Sequence, residues 1–276
     1  MPDQPSQQPP PIQRLRIRYA KRGRLRFTSH RDFGRAFERA VRRAGLPIAY
    51  SSGFHPHPRI SYANAAPTGA ASEAEYLEIN LSVLMRPDDV RLALDTALPA
   101  GLDILDVVVA EANTGALADR LEASCWRIAL PGVPVEDAES AVAMFLSRDA
   151  IEVDRMTKRG IRTFDCRSAV VSLRAGALSA WALGALEAAD AADSQPCAIL
   201  ELVVRHGTPA VRPDDILAGL RETAGLVAPV PPLQTRIAQG PLDPRAAGVG
   251  DPLDPDRDAT TMVATAERSG ASPHVT

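Results

Sequence analysis

Residues 77–94 contain LEINL (77–81) followed by RPDDVRLAL (86–94), and residues 200–220 contain LELVV (200–204) followed by RPDDILAGL (212–220). The spacing from Glu78 to Arg86 is eight residues and from Glu201 to Arg212 is eleven, so the second copy has a longer link between strand and helix. In each copy a strand-like alternation gives way to a Pro, which suits the first helical turn because its missing amide has no partner there. Two Asp then sit at the positive end of the helix dipole. RPDD therefore reads as a helix start, and the repeat sets the element order on either side of it.

Working outward, RLRIRYAK (14–21) alternates Leu15, Ile17 and Tyr19 with Arg14, Arg16 and Arg18, a half-buried strand with a cationic outward face. LRFTS (25–29) reads as a second short strand. In RDFGRAFERAVRRAG (31–45), Phe33, Phe37, Ala40, Val41 and Ala44 share one helical face and Arg31, Arg35, Arg39 and Arg42 follow the other. Ser29 with Asp32 resembles a capping box, Gly45 suits the left-handed stop and Pro47 forbids continuation. IAYSSGFHPHPRISYA (48–63) reads as strand, rigid loop and strand, and Tyr76–Leu81 as a strand. The second copy starts at SCWRIALPG (124–132), with a helix over Val135–Leu146 and strands near Glu152–Thr157 and Phe164–Leu173.

This succession predicts an α+β fold of two tandem ferredoxin-like (βαββαβ-type) sandwiches, over 14–112 and 121–228, joined through NTGALADRL (113–121). Residues 1–13, rich in Pro and Gln, and 229–276, rich in Pro, Gly and Asp, are expected as disordered tails, with VAPVPPL (227–233) as an extended exit segment.

The 276 residues carry a net charge of −3, yet between Arg14 and Arg59 thirteen Lys or Arg face only Asp32 and Glu38. Such a field attracts polyanions by counterion release, which points to nucleic acid. Two plainer readings stand beside it: a bias toward arginine, 29 Arg to 2 Lys, and docking of the basic half on the chain's own acidic remainder. No run of eighteen apolar residues and no signal-peptide pattern occurs, so a cytoplasmic location is expected. Cys125, Cys166 and Cys197 are too far apart for close-spaced zinc or iron–sulfur ligation and read as free thiols. No Walker loop, GxSxG, HExxH or CxxC is present, and no metal or cofactor is expected.

The stretch from Arg14 to Ala63, with SEAEYLEINL (72–81) and GLDILD (101–106), resembles the radical-SAM-linked protein family, over about residues 14–225. That resemblance implies a small protein or domain of unknown biochemistry. In many bacteria it is fused to a B12-binding radical SAM protein; elsewhere it stands alone near ribonuclease E/G-type genes. A radical SAM protein and, by neighbourhood, RNA are therefore the implied partners. AAPTG (65–69) departs from the Pro-Leu-Pro-like run that members carry there. The chain lacks the three close cysteines of a radical SAM enzyme, so it is not itself that enzyme.

YSSGFHPHPRISY (50–62) concentrates the remaining chemistry. Pro56 and Pro58 stiffen the loop and hold Phe54, His55 and His57 as flat surfaces on which unpaired bases could stack, with Arg59 for phosphate. The candidate nucleic-acid-binding set is thus Arg16, Arg18, Lys21, Arg22, Arg24, Arg31, Arg35, Arg39, Arg42, Phe54, His55, His57 and Arg59. A metal at His55 and His57 lacks a third ligand nearby in sequence. His30, beside Arg31 in the first helical turn, is the candidate general base of a metal-independent endoribonuclease, its pKa expected to be lowered by the helix dipole; completing the helix cap is the plain alternative. The functions open at this level are an RNA-binding accessory module for tRNA or rRNA modification or processing, a ribonuclease using His30, and a protein-binding adaptor.

Overall fold

The alternation in β1 (Gln13–Lys21) puts Leu15, Ile17 and Tyr19 into a core completed by two helices that read as amphipathic in the sequence. In the first, α1 (His30–Arg43), Ser29 Oγ accepts from the Asp32 amide at 3.2 Å and Gly45 takes φ +64°, so the cap and the stop lie where the sequence predicts. Phe33, Phe37, Ala40 and Val41 are buried, and Phe33 stacks on Tyr19 with ring centroids 4.5 Å apart. Each such aromatic contributes roughly 1.5–3 kcal/mol by burial. β2 (Ile60–Ala63) and β3 (Ala71–Leu81) pair antiparallel, α2 (Pro87–Ala97) starts on Pro87 with Asp88 and Asp89 in its first turn, and β4 (Ile104–Val109) pairs antiparallel with β1.

The computed structural model describes residues 7–112, 114–158, 160–177, 196–243, 245 and 247–257. Its second half contains β5 (Ala123–Pro131), α3 (Val135–Leu146), a hairpin of β6 (Glu152–Thr157) and β7 (Gly160–Asp165), then β8 (Val170–Ala177), β9 (Cys197–Arg205), α4 (Pro213–Ala224) and β10 (Leu233–Gly240). The short strands β11 (Leu242–Asp243) and β12 (Gly248–Val249) follow and pair with each other. The fold is mixed α/β with one large mixed sheet and few helices. Two units are defined: Met1–Thr68, Ala74–Arg120 and Asp251–Thr276 form the first, and Gly69–Glu73 with Leu121–Gly250 the second. Strand order is β4-β1-β3-β2 in the first and β10-β5-β9-β8 in the second. The start of β3 belongs to the second unit, where Ala71 and Ser72 pair in parallel with Thr235 and Arg236 of β10. α4 repeats the start of α2, with Pro213, Asp214 and Asp215 in its first turn.

Three expectations are corrected. LRFTS is not a strand: Gly23–Phe27 is a 3-10 turn, entered through Gly23 at φ +53°. The cationic face of β1 is not outward at Arg16, which is 1% exposed. The third concerns the C-terminal tail, which is ordered to residue 257 in the described structure. β10 escapes a hydrophobic-pattern reading because its interior carries Arg236 and Gln239, both buried. Arg236 lies over the Trp126 ring at 5.5 Å and donates to Ser72 Oγ and Gln239 Oε1 at 3.4 and 3.3 Å. Residues 1–6, 178–195 and 258–276 lie outside the described residues, as does Asn113 of the joining segment.

Residues 251–257 are held by charge. Asp256 is fully buried and accepts from Arg16 Nη1 at 2.7 Å, Arg120 Nη1 at 2.6 Å and Thr114 Oγ1 at 2.8 Å. Arg16 also donates to Glu78 at 2.9 Å, and Arg257 pairs with Asp106, Asp251 and Asp254. Burial alone would raise the Asp256 pKa, but the hydrogen bonds from Arg120, Arg16 and Thr114 outweigh it and hold the carboxyl below its usual range.

Asp256→Asn is expected to cost about 3–5 kcal/mol, because it leaves two buried guanidiniums short of charge. Since the folded pKa lies below an unfolded value of about 3.9, the Asp256 contribution is complete above that value and lost as pH falls through the folded pKa. Urea unfolding of both proteins should show their stability gap narrowing below about pH 4. In the second unit a Cβ at Gly219 would lie 2.7 Å from Phe145 Cε2 and 3.0 Å from Cys166 Sγ. Gly219→Ala is therefore expected to destabilise by about 1–3 kcal/mol in denaturant unfolding, against the roughly 1 kcal/mol that helix propensity alone would add.

Candidate nucleic-acid interface

Because α1 spends its apolar face on the core, its arginines have only solvent to face. Arg31, Arg35, Arg39 and Arg42 are all exposed. Arg35 sits 4.0 Å from Asp32 in an exposed pair that contributes little, and the other three have no ion-pair partner among the described residues. Arg43 instead donates to the Ala97 carbonyl at 3.2 Å.

The loop at 50–59 is closed at its base. Tyr50 bridges to Pro58, the Ser51 amide donates to the His57 carbonyl at 2.9 Å, and the His57 amide donates to Ser51 Oγ at 3.0 Å. Arg59 is half-buried and donates through Nε to the Tyr50 carbonyl at 3.2 Å, so part of its guanidinium braces the loop. Gly53 at φ +129° provides the turn that an L side chain rarely adopts. At the tip Phe54 is 72% exposed, and His55 and His57 are exposed. Continuing from this loop, Tyr62 of β2 lies edge-on to Phe33 and Phe37 of α1, which ties loop and helix together.

The rest of the expected cationic set divides. Arg24 is exposed and Arg18 half-buried. Arg22 pairs with Asp103 at 2.6 Å. Lys21 is 5% exposed, with Nζ 3.4 Å from the Ala66 and Pro67 carbonyls, and Arg16 is enclosed with Asp256. Arg16 and Lys21 are thereby withdrawn from the surface, because β1 is covered on both faces and not on one. Sequence reading passed over Arg26 and Phe27: Phe27 is 60% exposed with the Arg26 guanidinium 4.9 Å from its ring centroid. The available signal was length, since the run from Gly23 to the capping Ser29 is too short to hold a strand and its turns.

His30 is exposed at the first residue of α1, edge-on to Tyr62 at 5.1 Å. Ser29, not His30, makes the cap, and the imidazole has no hydrogen-bond partner among the described residues. Among the described residues nothing hydrogen-bonds the buried Tyr62 Oη, and burial, followed by the nearby Glu38, pushes its pKa up to about 12. Among the described residues no three His, Cys, Asp or Glu converge as metal ligands. The three cysteines are free; Cys166 is buried and its pKa is pushed up to about 12, first by burial and then by Asp165 and Asp215. Among the described residues no helix is long and apolar enough to cross a membrane.

Over residues 14–213 the chain matches the family described as "Uncharacterized protein conserved in bacteria (DUF2344)", and it belongs to that family. No curated protein matches the chain.

Tyr62→Phe removes a buried hydroxyl that has no partner among the described residues, so stability is expected to hold or rise by about 1 kcal/mol. Spectrophotometric titration of the variant should lack the tyrosine that ionises at about 12.

Proposed function

We propose that this chain is an RNA-recognising accessory module. It acts in the cytoplasm with a radical SAM protein of the B12-dependent type, or with an assembly that modifies or processes tRNA or rRNA. The observation that carries the reading is the stripe Arg31, Arg35, Arg39 and Arg42, exposed and almost free of ion pairs, on the helix tied to the closed loop bearing Phe54, His55 and His57. Unpaired arginines can neutralise phosphates and release the counterions condensed on a polyanion, and a braced aromatic tip meets unpaired bases at little entropic cost. The radical SAM partner rests on the family resemblance carried by Arg14–Ala63. We further read each unit as a ferredoxin-like sandwich. What supports this is the β-α-β-β-α-β order of the elements and the 4-1-3-2 strand order of each unit, the second with β6 and β7 inserted.

A second reading, a metal-independent endoribonuclease, is favoured by one observation: the His30 imidazole is exposed beside Arg31 and makes no hydrogen bond among the described residues. Loss of RNA cleavage in His30→Ala would support it, and intact RNA with the wild-type chain removes it.

Labelled single-stranded RNA titrated at several salt concentrations tests the leading reading. Arg35→Ala/Arg39→Ala/Arg42→Ala should flatten the slope of log affinity against log salt by about 2. Phe54→Ala should weaken binding by about 5- to 150-fold with the slope unchanged. Wild-type protein that retains no RNA and shows no salt dependence would leave the protein-binding adaptor instead.

A further inference from the structure

Between β1 and α1 the first unit carries the 3-10 turn Gly23–Phe27, GRLRF. Side chains three apart eclipse one another in a 3-10 helix, so Arg24 and Phe27 stand on one side of the turn and Leu25 on another. Burial follows the same division: Leu25 packs against the core, whereas Arg24 is exposed and Phe27 is 60% exposed. Arg26, on the third side, leans over the Phe27 ring with its guanidinium 4.9 Å from the centroid. The turn is fixed at both ends. The Leu25 amide donates to the Arg22 carbonyl at 3.0 Å and the Thr28 amide to the Leu25 carbonyl at 2.9 Å. Arg22 in turn donates its amide to the Gly101 carbonyl at 2.8 Å and pairs through its guanidinium with Asp103 at 2.6 Å. Gly101, at φ +90°, permits that approach, since a Cβ there would lie 3.1 Å from the Arg22 carbonyl oxygen. Phe27 is therefore held out in water by a braced backbone.

The charge around it has one sign. No acidic residue occurs between Lys21 and Arg31. Asp103 is taken by Arg22, and Asp32 accepts from Ser29 Oγ at 2.7 Å and lies 4.0 Å from Arg35. Arg24, Arg26 and Arg31 have no ion-pair partner among the described residues. An occupant of this turn has to bring negative charge and a flat surface for the one ring face that Arg26 leaves open. An unpaired nucleobase needs only one face, carries its phosphate beside it, and gains from a guanidinium in the same stack. An anionic lipid surface fits less well, because sinking the ring among acyl chains would drag the Arg26 guanidinium out of water with it. An acidic peptide answers the charge and leaves the ring uncovered.

We propose that the Gly23–Phe27 turn is a second base-stacking platform, with an unpaired base on the open face of Phe27 and the adjoining phosphate on Arg24. It rests on the RNA-recognition reading and deepens it, because Phe54 and Phe27 each take a base and the substrate class becomes RNA with more than one base unpaired. The test uses the full chain, a fluorescein-labelled single-stranded RNA, poly-glutamate, and vesicles of phosphatidylglycerol and phosphatidylcholine. Phe27→Ala is expected to weaken RNA binding by about 5- to 150-fold with the salt slope unchanged. Arg24→Ala is expected to flatten the slope by about 0.7. Both variants should keep the wild-type urea midpoint, since both side chains are exposed. Phe27→Trp should retain binding, and its added emission, read against the wild-type chain, should be quenched by unlabelled RNA as a base stacks on the indole. A Phe27→Ala chain that binds RNA as the wild type does overturns the proposal; weaker binding by Phe54→Ala and by the α1 arginine variant would still uphold the first contact. Emission of Phe27→Trp that moves to the blue on vesicles and is unchanged by RNA overturns it in favour of a membrane. Poly-glutamate bound by the wild type as tightly as RNA overturns it in favour of an acidic protein. A wild-type chain that binds no RNA overturns both readings together.

Discussion

The first unit depends on a buried carboxylate. Asp256 has no exposed surface, and it can remain ionised there only because Arg16 and Arg120 bring charge-assisted hydrogen bonds from chain positions 240 and 136 residues away. Removing any of the three leaves charge in a site that water does not reach. Residues 251–257 are consequently part of the unit that begins at the other end of the chain, and β1 is enclosed on the side that its arginines would otherwise open to solvent.

That enclosure also decides where free positive charge remains. Of the cations crowded between Arg14 and Arg59, Arg16 and Lys21 are spent internally, Arg22 is paired and Arg59 braces its own loop. What stays exposed for an external anion includes Arg14, Arg24 and the α1 stripe, and the same unit exposes two aromatics, Phe27 and Phe54. Count alone overstates the basic surface; the partners of each guanidinium define it.

Much of the local structure was legible in the sequence. The caps and faces of α1, the Pro-Asp-Asp starts of α2 and α4 and the closed loop at 50–59 all follow from backbone rules that act within a few residues. The failures in the C-terminal segment and at its anchor have a common cause. Arg236, Gln239 and Asp256 are buried polar residues, and a pattern that equates polar with exposed reads them as tail. LRFTS failed differently: its alternation is that of a strand, but Gly23 turns the chain and among the described residues no strand pairs with it.

By itself, then, the sequence determined which segments become helices, which faces of them are apolar, and that positive charge gathers in the first sixty residues, because these are properties of neighbouring side chains and of their spacing. Only the tertiary structure decided which arginines are left over and that residues as late as 257 belong to the fold. Whether a charge is buried and paired depends on partners far away in the chain, and no local pattern contains them.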